Sequence, residues 1–126
     1  MEEALRALLL ASSGVTALAG KRVNFGSHPQ GDPLPALVLN TISDREGLTV
    51  SGPDGVQQAR VQIDCYAESY GAAKQLSRAV RAVLHGHSGG GFQGVFLDGA
   101  RDLREPGDDT GRPYRVSLDF LTIYSA

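Results

Sequence analysis

The stretch that decides the fold is Gln58-Ala59-Arg60-Val61-Gln62-Ile63-Asp64-Cys65-Tyr66-Ala67, where Ala59, Val61, Ile63 and Cys65 alternate with Arg60, Gln62, Asp64 and Tyr66. Successive side chains of an extended backbone point to opposite sides, so this alternation predicts a strand with one apolar and one polar face. The pattern returns near the end of the chain. Arg115-Val116-Ser117-Leu118-Asp119 repeats the order Arg-Val-polar-aliphatic-Asp of residues 60–64, inside a second strand expected over residues 114–124. Val61, Ile63, Val116 and Leu118 can then share a face covered by helices, and Arg60, Gln62, Asp64, Arg115, Ser117 and Asp119 share the other. The plain reading of that second face is a solvated surface carrying cross-strand ion pairs. The sharper reading is a face that meets a neighbouring subunit or lines a channel.

The elements around these strands follow from changes of period. Between Ser69 and Leu84 the apolar spacing becomes helical, with Ser69 available as an N-cap, Leu76, Val80, Val83 and Leu84 as the inner stripe, and Lys74, Arg78 and Arg81 outside. Residues 2–11 place Leu5, Leu8 and Leu9 at helical spacing. Ser12, Ser13 and Gly14 stop that helix, and residues 15–19 have room for one more turn before Gly20. Residues 23–25 form a brief extended piece, residues 36–43 a strand, and residues 92–104 a strand interrupted at Gly99. Loops are expected at 27–35, at the polar, glycine-punctuated stretch 44–55, at the glycine run 86–91 and at 105–113. The predicted fold is α+β: an antiparallel sheet of about four to five strands with two helices packed on one face.

Composition limits what such a domain can do. A chain of 126 residues is one domain, spanning 1–126, and can bury roughly two-thirds of its unfolded surface. A net charge of -2 and a pI near 5.8 argue against a dedicated nucleic-acid binder. A lone cysteine, Cys65, excludes an internal disulfide. The apolar run at residues 7–11 is too short for a signal-peptide core and follows Glu2 and Glu3 rather than lysines. No run reaches the length of a membrane span. The expectation is a soluble protein made in the cytoplasm, with no membrane partner.

The motifs that could carry chemistry are weak. Gly89-Gly90-Gly91-Phe92-Gln93-Gly94 matches the dinucleotide fingerprint in letters, but that motif needs a strand before it and a helix after it. Here the order is reversed, which leaves a flexible helix-to-strand connection. His85-Gly86-His87 has no third ligand at a metal-binding spacing, and a helix C-terminus accommodates His85 without a metal. Cys65 falls on the expected core face, where a free cysteine behaves as a small hydrophobe. Asp64 and Asp119 could be drawn as a carboxylate pair, yet each is spaced to meet an arginine on its own face. No catalytic, cofactor or metal site is expected.

Taken in order, several segments resemble the tail-completion (tail terminator, or head–tail joining) proteins of long-tailed phages. They are the short N-terminal helix leading to Gly20-Lys21-Arg22-Val23, then Pro35-Ala36-Leu37-Val38-Leu39, then Gly52-Pro53-Asp54-Gly55 running into residues 59–67. The helix over residues 70–84 follows. Phe96-Leu97-Asp98, the acidic turn Asp108-Asp109-Thr110-Gly111 and Tyr114-Arg115-Val116-Ser117-Leu118-Asp119-Phe120 complete the series. The likeness spans nearly the whole chain and rests on order and spacing. The glycine-rich stretch 86–94 departs from it.

That resemblance implies a non-enzymatic virion protein. It implies a ring, usually of six copies, that caps the finished tail tube and docks on the head connector, with DNA passing through the lumen without specific binding. Partners would be further copies of the chain, the tail-tube protein and the connector. The place of residence would be the cytoplasm during assembly and then the head-proximal end of the tail. An Ala-, Gly- and Arg-rich composition resembles proteins of GC-rich bacteria, and a phage, a prophage or a gene transfer agent all fit. The candidate interface or lumen-facing residues are Arg60, Gln62, Asp64, Arg115, Ser117 and Asp119. Alternatives are a tail-tube or connector subunit of the same particle, and a small-ligand-binding domain using the glycine loop and histidines.

Overall fold

A computed structural model describes residues 1–27, 33–49, 52–104 and 113–125. In chain order the elements are α1 (Glu2–Ala11), α2 (Ser13–Ala19), β1 (Val23–Phe25), β2 (Ala36–Thr49), β3 (Gly52–Ala67), α3 (Tyr70–Leu84), β4 (Phe92–Arg104) and β5 (Tyr114–Ser125). The five strands form one sheet in the order β1-β2-β3-β5-β4. All pairings are antiparallel except β1 with β2, which is parallel. The fold is therefore α+β, with a mixed sheet and a third helix: the turn foreseen at residues 15–19 is a separate helix, capped by Ser12, whose hydroxyl accepts from the Val15 N–H at 3.3 Å.

The two look-alike strands are neighbours. β3 and β5 pair with Val61 opposite Phe120, Ile63 opposite Leu118 and Cys65 opposite Val116. All six residues are buried, together with Leu37 and Leu39 of β2 and Leu5, Leu9, Leu76, Val80 and Leu84 from the helices. The expected inner positions Val61, Ile63, Cys65, Leu76, Val80, Leu84, Val116 and Leu118 are thus buried, whereas Leu8 and Val83 of the expected helix stripes are only partly so. Ser69 caps α3 as expected, accepting from the Ala72 N–H at 3.2 Å. α3 is also tied to β4, since Lys74 and Tyr70 both donate to Asp102, at 3.0 and 2.9 Å. The hydrogen bond from Lys74, then the one from Tyr70, holds the Asp102 carboxyl below its ordinary value.

Two expectations need correction. Residues 44–49 and 52–55 are not loop but strand: β2 and β3 continue to pair, Asp44 with Ala59, Arg45 with Gln58, Glu46 with Gln57, Leu48 with Pro53 and Thr49 with Gly52, while residues 50 and 51 lie outside the described residues. Ser43, Asp44 and Arg45 are exposed, so this arm has no core face there and no alternation for a sequence reader to find. Its strand pairing runs through irregularities at Thr41/Ser43 and Glu46/Leu48. The loop expected at residues 105–113 lies outside the described residues except for Pro113, as does most of the one at 27–35.

The glycine run is the second correction, because it is hydrogen-bonded rather than loose. The Gly86 N–H donates to the Val95 carbonyl at 2.7 Å and the Val95 N–H returns to His87 at 3.1 Å. Gly89 and Phe92 exchange bonds of 2.8 and 3.0 Å. The backbone at Gly91 has φ +94°, and a Cβ there would sit 2.6 Å from the Tyr124 ring, whereas Gly86 at φ +80° has open space around it. Gly86→Ala should therefore cost about 1–2 kcal/mol of left-handed strain, and Gly91→Ala clearly more, as read from urea unfolding midpoints. Equal losses at the two positions would show that the ring contact is not what fixes Gly91.

Candidate assembly face

The helices cover one face of the sheet, and no element among the described residues covers the other. Its composition follows from register. With Val61, Ile63 and Cys65 facing in, Arg60, Gln62, Asp64 and Tyr66 must face out, and Leu121, Asp119, Ser117 and Arg115 stand opposite them on β5. All six candidate residues are therefore on one face, as the alternation required.

That face is not uniformly solvated, which corrects the plain reading. Asp64 and Ser117 are buried within the chain itself, at 4% and 1% exposure. Gln62 Nε2 donates to both Asp64 oxygens, at 3.1 and 3.2 Å, and Ser117 Oγ donates to Asp64 Oδ1. Arg115 Nη1 lies 3.9 Å from Asp64 Oδ2 and donates to the Tyr66 hydroxyl at 3.4 Å, its guanidinium 5.9 Å from the Tyr66 ring centre. Beside this cluster runs an open cleft of about 460 Å³, lined by Val38, Asn40, Tyr66 and Arg115 among others. The carboxylate's charge is met by groups of its own sheet.

The remaining charges are paired along the surface. Arg60 Nη1 is 2.6 Å from Asp98 Oδ2, and the hydrogen bond to Asp98, followed by its charge, raises the guanidinium above its ordinary value. Arg101 Nη1 is 3.5 Å from Asp119 Oδ2. Asp64 and Asp119 each meet an arginine on their own face, as the spacing suggested. Asp98 and Arg101 were not foreseen, because an extra residue at Asp98 shifts the β4 register between Leu97 and Gly99. A second shift between Phe92 and Gly94 turns Phe96 outward opposite Leu121, leaving the two side chains 46% and 39% exposed. A simple alternation from Phe92 cannot show that.

The other suspected sites resolve into structure. His85 Nδ1 accepts the Leu97 N–H at 3.0 Å, and the His87 ring packs edge-on to Phe92 with centroids 6.0 Å apart. Among the described residues no three His, Cys, Asp or Glu side chains cluster as a metal site would need. Cys65 is buried between Leu37 and Val116, and desolvation pushes its thiol well above the usual range. The fingerprint-like glycines follow a helix and precede a strand, the wrong order for a phosphate cradle.

With this geometry in place, comparison with known proteins decides the family. The tail completion protein gp17 family matches residues 3–125. The chain belongs to that family. Its members are structural proteins of virion assembly and not enzymes, which accords with a face of mutually paired charges. Among solved structures, the fold is similar to a chain of the virion of a native gene transfer agent particle, with a TM-score of 0.69 at 21% identity over 100% of this chain and 95% of that one. No curated protein sequence matches.

Burial separates the two aspartates. Asp64→Ala removes the acceptor for Ser117 and Gln62 in a buried setting, and should lower the unfolding free energy by about 1–3 kcal/mol. Asp119→Ala removes only a surface pair and should cost less than about 1 kcal/mol. Chemical denaturation of the two variants checks this; a larger loss at Asp119 would contradict the burial pattern.

Proposed function

We propose that copies of this chain close into a ring, six in number, that caps the finished tail tube and docks it on the head connector. Membership of the tail completion family supports a place in virion assembly. The observation that carries the ring reading is the uncovered sheet face, where Phe96 and Leu121 stand exposed beside a long polar surface. A closed ring of heterologous contacts covers such surfaces without leaving an open end.

On this reading the polar part of the face, with Arg60, Gln62, Asp64, Arg115, Ser117 and Asp119, turns toward the lumen or the adjoining subunit. Arg60, Arg101 and Arg115 each have an aspartate beside them, at 2.6, 3.5 and 3.9 Å. Paired arginines offer phosphates little net positive charge, so DNA can pass without being held. The chain's partners are then its own copies, the tail-tube protein and the connector. It is assembled in the cytoplasm and ends in the particle, at the head-proximal end of the tail.

Particles made without this chain should accumulate as filled heads and separate tails in electron micrographs, and the purified chain should give a closed ring by native mass spectrometry. Joined particles without the chain would overturn the reading. Filaments of stacked copies would instead favour a tail-tube subunit.

A further inference from the structure

Helix α1 carries more apolar surface than its own chain covers. Its sequence, EEALRALLLA, is apolar at every position except Glu2, Glu3 and Arg6. A helix apolar nearly all round belongs in an interior. Yet only Leu5 and Leu9 are fully buried, while Ala7 and Ala11 are exposed and Leu8 is half-buried. Beside this stripe lies a shallow pocket of about 270 Å³, lined by alanines of α1, Leu8, Phe92 and two glycines of the turn before β4, with no charged side chain.

The opposite layer of the molecule has a groove of matching character. It holds about 250 Å³ at the end of the uncovered sheet face, with Leu121 and Ile123 as its floor and Phe96 as a wall. Gly94 makes that wall possible, because a Cβ there would fall 2.5 Å from the Phe96 ring, so the ring lies along the strand. Arg45, which is exposed, supplies the positive charge at the groove's edge, and Arg60 beside it is already held by Asp98. The helix that would fill it begins with Glu2 and Glu3, of which Glu3 is exposed.

Resting on the ring reading above, we propose that the Ala7–Ala11 side of α1 in one copy seats in the Phe96–Leu121 groove of the next, with the acidic first turn of α1 against the arginine edge. The apolar floor takes the small and aliphatic side chains, and opposite charges meet at the rim. The helix layer and the outer sheet face are on opposite sides of the chain, so neither patch can satisfy the other within one copy. Two unlike patches also make the contact heterologous, and repetition by rotation closes a ring.

Engineered cysteines test this directly, since the native Cys65 is fully buried. A chain carrying both Ala7→Cys and Leu121→Cys, oxidised after assembly, should give a ladder of disulfide-linked oligomers on a non-reducing gel, and each single variant should give none. In parallel, Ala7→Glu alters an exposed position and should keep the thermal midpoint. It should raise the concentration at which rings form by about tenfold or more, because the carboxylate would be buried against Leu121. Rings that form without the ladder, with Ala7→Glu assembling normally, overturn this contact and leave the ring reading standing. A disulfide-linked dimer from either single variant means like patches meet, and overturns the contact as well. A wild-type chain that stays monomeric at every concentration overturns both.

Discussion

The antiparallel register of β3 and β5 is the constraint on which the rest of the structure depends. Setting Ile63 opposite Leu118, between the Val61–Phe120 and Cys65–Val116 pairs, puts these six apolar side chains of the two central strands on one face. A slip of one residue would turn either Arg60 and Asp64 or Arg115 and Asp119 under the helices and expose the aliphatic side chains of that strand. Helices α1 and α3 can bury Leu5, Leu9, Leu76, Val80 and Leu84 only because that face is continuous. The same register gathers the polar side chains into the opposite surface. Core and assembly face are two consequences of one alignment.

Those parts of the fold were legible where side chains had to alternate or repeat every turn. The pattern Arg-Val-polar-aliphatic-Asp, present at residues 60–64 and 115–119, announced both strands and assigned their faces, and the stripe at Leu76, Val80 and Leu84 announced α3. Features without an alternating or helical side-chain pattern were not legible. The hairpin arm beyond Ser43 presents exposed side chains where they are described, so it reads like a loop. The shifts at Gly94 and Asp98 reverse the facing of β4 residues without any change in local composition. Glycines 86, 89, 90 and 91 suggest looseness by letter, while their positive φ angles and hydrogen bonds define a fixed turn.

The candidate surface was legible in membership and not in energetics. All six named residues share a face, but sequence spacing could not show that Asp64 and Ser117 are buried in the chain itself. Their burial comes from Gln62, Tyr66 and Arg115 folding over the middle of the sheet, an arrangement of long side chains that no period encodes. Electrostatics on this face are local: arginines meet aspartates two strands away or next door. The more exposed apolar side chains, Phe96 and Leu121, lie toward one end, so the face divides into a polar stretch and a more apolar one.

The central claim is that the uncovered face of the sheet is the surface through which this tail completion family member assembles. Hydroxyl-radical footprinting of the free chain and of intact particles measures it most directly, by following oxidation of Phe96 and Leu121 against the exposed Tyr70 on the helix side as a reference. The account predicts that Phe96 and Leu121 lose reactivity on assembly relative to Tyr70. Unchanged reactivity at both positions in the particle would contradict it.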